Sequence, residues 1–242
     1  MTGLIIYERV GDATHITVNR ADVGGLMSNQ MATEMAGMIA GAAEDSKYVV
    51  LRSAGADFCL GRDSAGRPST PPKDALEYRG NSEVVFDFYN AFRKTPIPVV
   101  GVVQGRALGF GCAMASLCDI TIAADSARFA LPEMGHNIMP TMAMSALTDR
   151  IGLKSLLYIT YTTEEIDAET ARAWGLVSKV APLDQLDAAV DRVLVALNRA
   201  KPAALRAVKE FGFAAQNMDQ ETANGYAGNL HATINTAAVM QR

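Results

Sequence analysis

Up to Ala130, short runs rich in β-branched residues alternate with longer runs of helical character, and after Thr141 the helical runs continue almost alone. That order restricts the chain to an α/β core followed by a helical carboxy-terminal portion. Leu4–Arg9 and His15–Val18 flank Gly11-Asp12 and predict a hairpin. Asn29–Ala43, with Ser28 as N-cap, predicts a helix before the strand Tyr48–Arg52. Glu77–Phe92 reads as helix, Ile97–Val103 as a buried strand and Gly109–Leu117 as helix, with strands over Ile120–Ala123 and Ala127–Ala130. Between them, Arg67–Lys73 holds Pro68, Pro71 and Pro72 and reads as a loop. Thr141 is placed to cap a helix through about Ile151, and further helices cover Leu153–Tyr161, Ala168–Trp174, Leu183–Ala200 and a segment opened by Pro202.

The 242 residues suffice for one sizeable core, and 49% hydrophobic with 20% charged residues fits a soluble globular chain. Lys and Arg number 22 against 26 Asp and Glu, a net charge of -4 that leaves no basic footprint for nucleic acid. The most apolar stretch, Ile97–Ala124, is interrupted by Gln104, Arg106 and Asp119, so no membrane span is expected. MTGLIIYERVGD lacks the pattern of an export leader, and a cytoplasmic location is the expectation. Cys59, Cys112 and Cys118 are an odd count and form no CxxC. His15, His136 and His231 lie without ligand spacing, so no metal is expected.

GxSxG, HExxH and GxxxxGK motifs are absent, and GFGCAM lacks the last glycine of a dinucleotide fingerprint. What stands out is a pair of strand-to-glycine junctions, Phe58-Cys59-Leu60-Gly61 and Gly105-Arg106-Ala107-Leu108-Gly109-Phe110-Gly111. Free N–H groups at such bends suit an oxyanion hole. The same glycines also suit tight turns and close helix packing.

Together the two junctions resemble those of the crotonase superfamily, the enoyl-CoA hydratase/isomerase family. Phe58-Cys59-Leu60-Gly61-Arg62-Asp63 is similar to the family's F-x-A-G-x-D. Gln104 through Ala113, continuing to Cys118-Asp119 and Ile122-Ala123, resembles N-G-x-A-x-G-G-G-x-E-L-x-x-x-C-D-x-x-I-A. The likeness extends to Val18-Asn19-Arg20, Thr95–Val99, Phe129 through Pro132-Glu133, and Ala173–Val177 with Val180 and Leu186, nearly the whole chain.

The resemblance implies a crotonase-like spiral of ββα turns over residues 1–185 and a helical oligomerisation region over 186–242, assembled as a homotrimer or dimer of trimers. It implies an acyl-CoA thioester as substrate, with coenzyme A part of the substrate and no separate cofactor. The N–H groups of Leu60 and Phe110 would hold the thioester oxygen, with Glu133 as acid/base. Cys59, Gly61, Arg62, Asp63, Gly109, Gly111 and Ala113 would line the substrate, and Arg62 and Lys73 are candidates to meet the nucleotide phosphates; His136, a substrate-lining candidate without a counterpart in the family, is placed by its position three residues after Glu133. Ala113 stands where the hydratases carry their first glutamate, and Phe110 replaces the donor glycine. Ala21-Asp22-Val23-Gly24 lacks the proline and basic residues common in relatives. Asn137 and Thr141 replace glycines, and Met139, Met142 and Met144 read as core.

One carboxylate suffices to move a proton between two carbons, whereas water addition is divided between two, so isomerase-type chemistry is the expectation. Hydration, decarboxylation and carbon–carbon cleavage share the same enolate, and a catalytically silent acyl-CoA-binding protein is the rival of another class.

Overall fold

The computed structural model describes residues 3–63 and 73–240. The expected hairpin is present, with β1 (Ile5–Val10) and β2 (Ala13–Val18) antiparallel across Gly11-Asp12. Ser28 caps α1 (Asn29–Ala42), its hydroxyl accepting from the Met31 N–H at 3.2 Å, and β3 (Tyr48–Ser53) follows. Next come α2 (Ala75–Gly80), α3 (Glu83–Lys94), β4 (Val99–Val103), β5 (Arg106–Leu108), α4 (Phe110–Leu117), β6 (Ile120–Ala124) and β7 (Arg128–Ala130). The carboxy-terminal part holds α5 (Thr141–Leu147), α6 (Leu153–Thr162), β8 (Ile166–Asp167), α7 (Ala168–Trp174), β9 (Lys179–Ala181), α8 (Leu186–Arg199), α9 (Pro202–Ala214) and α10 (Gln220–Thr236).

Two sheets result. The larger runs β1-β2-β3-β4-β6-β9, parallel from β2 onward, and the smaller runs β5-β7-β8. Strands β4 and β5, then β6 and β7, each give one strand to each sheet, so the chain coils between two layers. The side-chain period of two divides the core. Val49, Leu51, Val99 and Val103 face α1, α3 and α4, while Tyr48, Val50, Val100 and Val102 face the Leu186, Ala189 and Val190 side of α8. A parallel sheet covered on both faces reads as continuous valine-rich runs, as these strands do.

Several boundaries differ from the sequence reading. The helix expected over Glu77–Phe92 is two helices, broken at Asn81-Ser82 and preceded by Asp74, whose carboxylate accepts from the Leu76 and Glu77 N–H groups at 2.9 Å each. Thr141 is the first residue of α5 rather than its cap; Pro140 takes the cap position, without a side-chain bond. Leu183–Gln185 is a 3-10 turn before α8. The proline-rich stretch lies outside the described residues except for Lys73, whose N–H donates to Glu77 at 2.8 Å. Strands β5, β8 and β9 escape a periodicity reading, because two or three residues carry no pattern and only pairing defines them.

Candidate active site

The two glycine junctions lie side by side. Cys59 bridges Ala107 in parallel register, the Phe58 and Cys59 N–H groups both donate to Arg106 O at 3.1 Å, and the Leu108 N–H donates to Cys59 O at 2.9 Å. The approach leaves no room for a side chain at position 111, where a Cβ would lie 2.1 Å from Cys59 O. Glycine there lets the start of α4 sit directly on the first junction.

Phe110 opens α4, so its N–H has no carbonyl a turn back within the helix and points outward with the positive end of the dipole. Its ring turns away, stacked on Phe88 with centroids 5.0 Å apart and tilted against Tyr89 at 5.7 Å. This aromatic layer on α3 explains how phenylalanine is accommodated at the position of the donor glycine. Leu60 is placed differently: its N–H donates to Gly24 O at 2.9 Å, so this amide is already engaged within the protein.

Glu133 sits in a 3-10 turn, Pro132–His136, opened by proline and closed by Asn137 in the left-handed region at φ 55, with the Ile138 N–H returning to Glu133 O at 2.9 Å. The turn carries the carboxylate over Gly109, where a Cβ would come within 2.7 Å of Glu133 Oε1. Glu133 Oε2 is buried without a hydrogen-bond partner among the described residues. Burial pushes the carboxyl above its usual range; the residue's own backbone N–H and the His136 imidazole draw it part of the way back. A carboxyl so raised at a cavity wall is a candidate to exchange a proton.

A cavity of about 250 Å³ joins these parts. Of the residues expected from the sequence, it brings together Leu60, Gly61, Arg62, Gly109, Phe110, Glu133 and His136. Cys59, Asp63, Gly111 and Ala113 lie behind its wall. Cys59 is buried in the bridge to Ala107, its thiol pushed up to about 12 by burial. Asp63 pairs with Arg20 at 2.6 Å, pinning the chain after β2 to the first junction. Ala113 is fully buried, its N–H donating to Gly109 O at 3.0 Å. Arg62 reaches the cavity while donating to Asn29 Oδ1; Lys73 does not line it.

Sequence reasoning missed Val85 and Tyr89 of α3; of the methionines read as core, Met142 and Met144 pack partly buried against it, Met142 lining the cavity as well, whereas Met139 is 76% exposed at the cavity. The helical stripe Val85, Phe88, Tyr89, Phe92 was visible, but not that α3 forms a wall of the site. Among the described residues no helix is long and apolar enough to cross a membrane, and no cluster of His, Cys, Asp and Glu could hold a metal ion.

Comparison with known proteins places the chain in a family. Residues 10–241 match the family model described as enoyl-CoA hydratase/isomerase. The "Probable enoyl-CoA hydratase echA8" of Mycobacterium leprae is 32% identical over 214 residues, covering 84% of this chain and 77% of that protein. The short-chain-enoyl-CoA hydratase of Clostridium acetobutylicum is 30% identical, covering 75% and 70%. Among solved structures, an enoyl-CoA hydratase from Mycobacterium smegmatis superposes with a TM-score of 0.92 at 25% identity, covering 98% of this chain and 93% of that one. A Thermobifida fusca YX protein solved in complex with CoA superposes at 0.83 with 26% identity, covering 95% and 92%. These matches share the α/β layers and helical carboxy-terminal portion described above, and with a family model spanning nearly its whole length this chain belongs to the enoyl-CoA hydratase/isomerase family, as an enzyme of that family.

Proposed function

We propose that the protein isomerises enoyl-CoA thioesters, with Glu133 moving the proton. The observation that carries this reading is the buried, unpartnered Oε2 of Glu133, a residue that lines the cavity beside the start of α4. The thioester oxygen would accept from the Phe110 N–H. Leu60 joins when its bond to Gly24 O is exchanged for one to the enolate, and a charge-assisted bond is roughly twice as strong as the neutral one it replaces. Glu133 takes a proton from C2 of a 3-enoyl thioester, the dienolate is held, and a proton is delivered at C4. With Ala113 buried behind the wall, no carboxylate at that position activates water, which favours isomerisation over hydration. Coenzyme A enters only as part of the substrate, and Arg62 at the cavity edge would meet its polar portion.

The assembly fits a homotrimer or dimer of trimers, with residues 186–242 contributing helical surface. An apolar groove between α9 and α10, lined by Val208, Phe211, Leu230 and Ile234, supports that reading. Sedimentation is expected to show trimers or larger; a monomer alone at micromolar concentration would remove it.

The Leu60–Gly24 bond favours a second reading, a silent acyl-CoA-binding protein whose hole stays closed. Incubation with 2-enoyl, 3-enoyl and 3-hydroxyacyl thioesters, followed by chromatography, separates the two. Rapid interconversion of 3-enoyl and 2-enoyl forms is expected; binding without turnover of any thioester would leave the silent protein.

A further inference from the structure

Glu133 is not the sole polar side chain without a partner on this cavity. Tyr89, from α3, lines the same wall and is 3% exposed, and its hydroxyl makes no hydrogen bond among the described residues. Its ring is fixed by Phe88 and Phe110, with centroids 6.1 and 5.7 Å away, so the hydroxyl has little freedom to seek one. A hydroxyl donor and a buried, unpartnered carboxylate oxygen on one apolar cavity point to something held between them.

The surroundings define what the hydroxyl can do. Burial and the Glu133 carboxylate both hold it in the protonated form, opposed by the Arg62 guanidinium, while Cys112 and Cys59 stand near enough to add to the effect. Tyr89 therefore remains an O–H donor. Its ring lies beside that of Phe110, the first residue of α4, whereas the methyl group of Ala113 on α4 offers no proton.

Building on the isomerase reading above, we infer that Tyr89 is the second proton carrier of the site, delivering to C4 the proton that completes the reaction Glu133 begins at C2. The balance closes without another reactant. The C2–H bond breaks as the Glu133 carboxylate gains a proton, and the dienolate forms. The Tyr89 O–H then breaks as C4–H forms, and the double bond settles between C2 and C3. The protonated Glu133 returns its proton to the phenolate, restoring both groups. A single carboxylate would carry the C2 proton to C4 itself; two carriers draw the C4 proton from a group that equilibrates with solvent between turnovers.

The experiment follows isomerisation of a 3-enoyl-CoA in D2O by the wild type and Tyr89→Phe, reading rate and deuterium at C4. The wild type is expected to place close to one deuterium at C4 per turnover. Tyr89→Phe should keep the thioester KM and melting temperature and lose about a hundredfold in kcat, the scale of a positioned acid. Its residual product should carry the C2 proton at C4, a change that a purely structural role would not produce. Equal kcat and equal labelling in the two proteins would overturn the proposal. So would transfer of the C2 proton to C4 by the wild type, a result that needs no variant to fold. Failure of the wild type to isomerise any enoyl thioester would instead defeat the isomerase reading itself, and this inference with it.

Discussion

The layered core and the carboxy-terminal helical pair are stabilised in opposite ways. Strands β3 and β4 are buried on both faces, and the cavity is built from backbone segments that bond to one another across that core. In α9 the one buried residue is Lys209, and α10 buries none. Lys209 donates to Asp119 Oδ2 at 2.7 Å, Phe92 O at 2.9 Å and Ile97 O at 3.1 Å, and Arg206 donates to Ala43 O, so cations of α9 tie the tail to the core. The difference teaches that the core fixes chemistry by backbone position, while the tail offers surface.

The sharpest break in that comparison is Glu133→Gln, which leaves the core packed but removes the carboxylate to which we assign the C2 proton. Turnover should fall by about 10²–10⁴-fold while thioester binding persists. The same variant tests the electrostatics. The folded state holds the Glu133 proton more tightly than the unfolded chain does, because its carboxyl is raised above 4.5. The associated stability is present below the unfolded value and is lost as pH rises through the raised folded value. Above that window Glu133→Gln should melt higher than the wild type, and below it the two should converge. Wild-type turnover should fall as pH drops through the raised value, since the base must be ionised.

Lys209→Met asks whether the tail can be loosened without touching the site. It leaves the half-buried Asp119, which still accepts from the Val99 N–H at 2.7 Å, beside an apolar chain, and breaking a buried pair costs at most about 3–5 kcal/mol. Denaturant titration should report that loss. Glu133, whose turn belongs to the core, should still support turnover in the molecules that remain folded; loss of kcat at saturating substrate would show that the tail shapes the cavity.

Gly109→Ala moves the test back to the core. Glycine at φ 52 carries no steric penalty, whereas an alanine Cβ would meet Glu133 Oε1 at 2.7 Å. Backbone strain of this kind costs about 1–3 kcal/mol, so a loss of roughly tenfold to a hundredfold in kcat is expected as the carboxylate is displaced. A variant of normal stability and normal kcat would show that Glu133 works from another position.

The contrast between regions also governs what was legible beforehand. Ser28, the valine runs of β3 and β4, and the helical spacing of α1 and α3 speak through local chemistry and were readable directly. Glu133 and Phe110 were readable through the resemblance, since motif order preserves their neighbours. Tyr89 was not, because nothing local tells which face of α3 meets the cavity. The Leu60–Gly24 bond was not either, for it joins segments 36 residues apart through backbone atoms alone. Asp63 looked like a site residue because it closes the first motif, yet its partner Arg20 lies 43 positions away.

Leu60→Ala should have the smallest effect, and it sharpens the claim that the core acts through its backbone. The Leu60 side chain lies on the cavity wall against Gly24, where a Cβ would come within 2.4 Å of Leu60 Cδ1, so truncation trades one contact for space. The amide stays in place, because position 59 remains bridged to Ala107 and the Met27 N–H remains bonded to Gly61 O at 3.0 Å. With the donor kept and only a half-buried side chain shortened, kcat/KM should stay within about tenfold of the wild type, below the roughly hundredfold or greater loss expected when an oxyanion donor itself is removed. Steady-state kinetics on a 3-enoyl thioester measures it. A hundredfold loss in a folded Leu60→Ala would place the side chain, rather than the N–H, in the reaction, and the Leu60 amide would then stay bonded to Gly24 throughout the cycle.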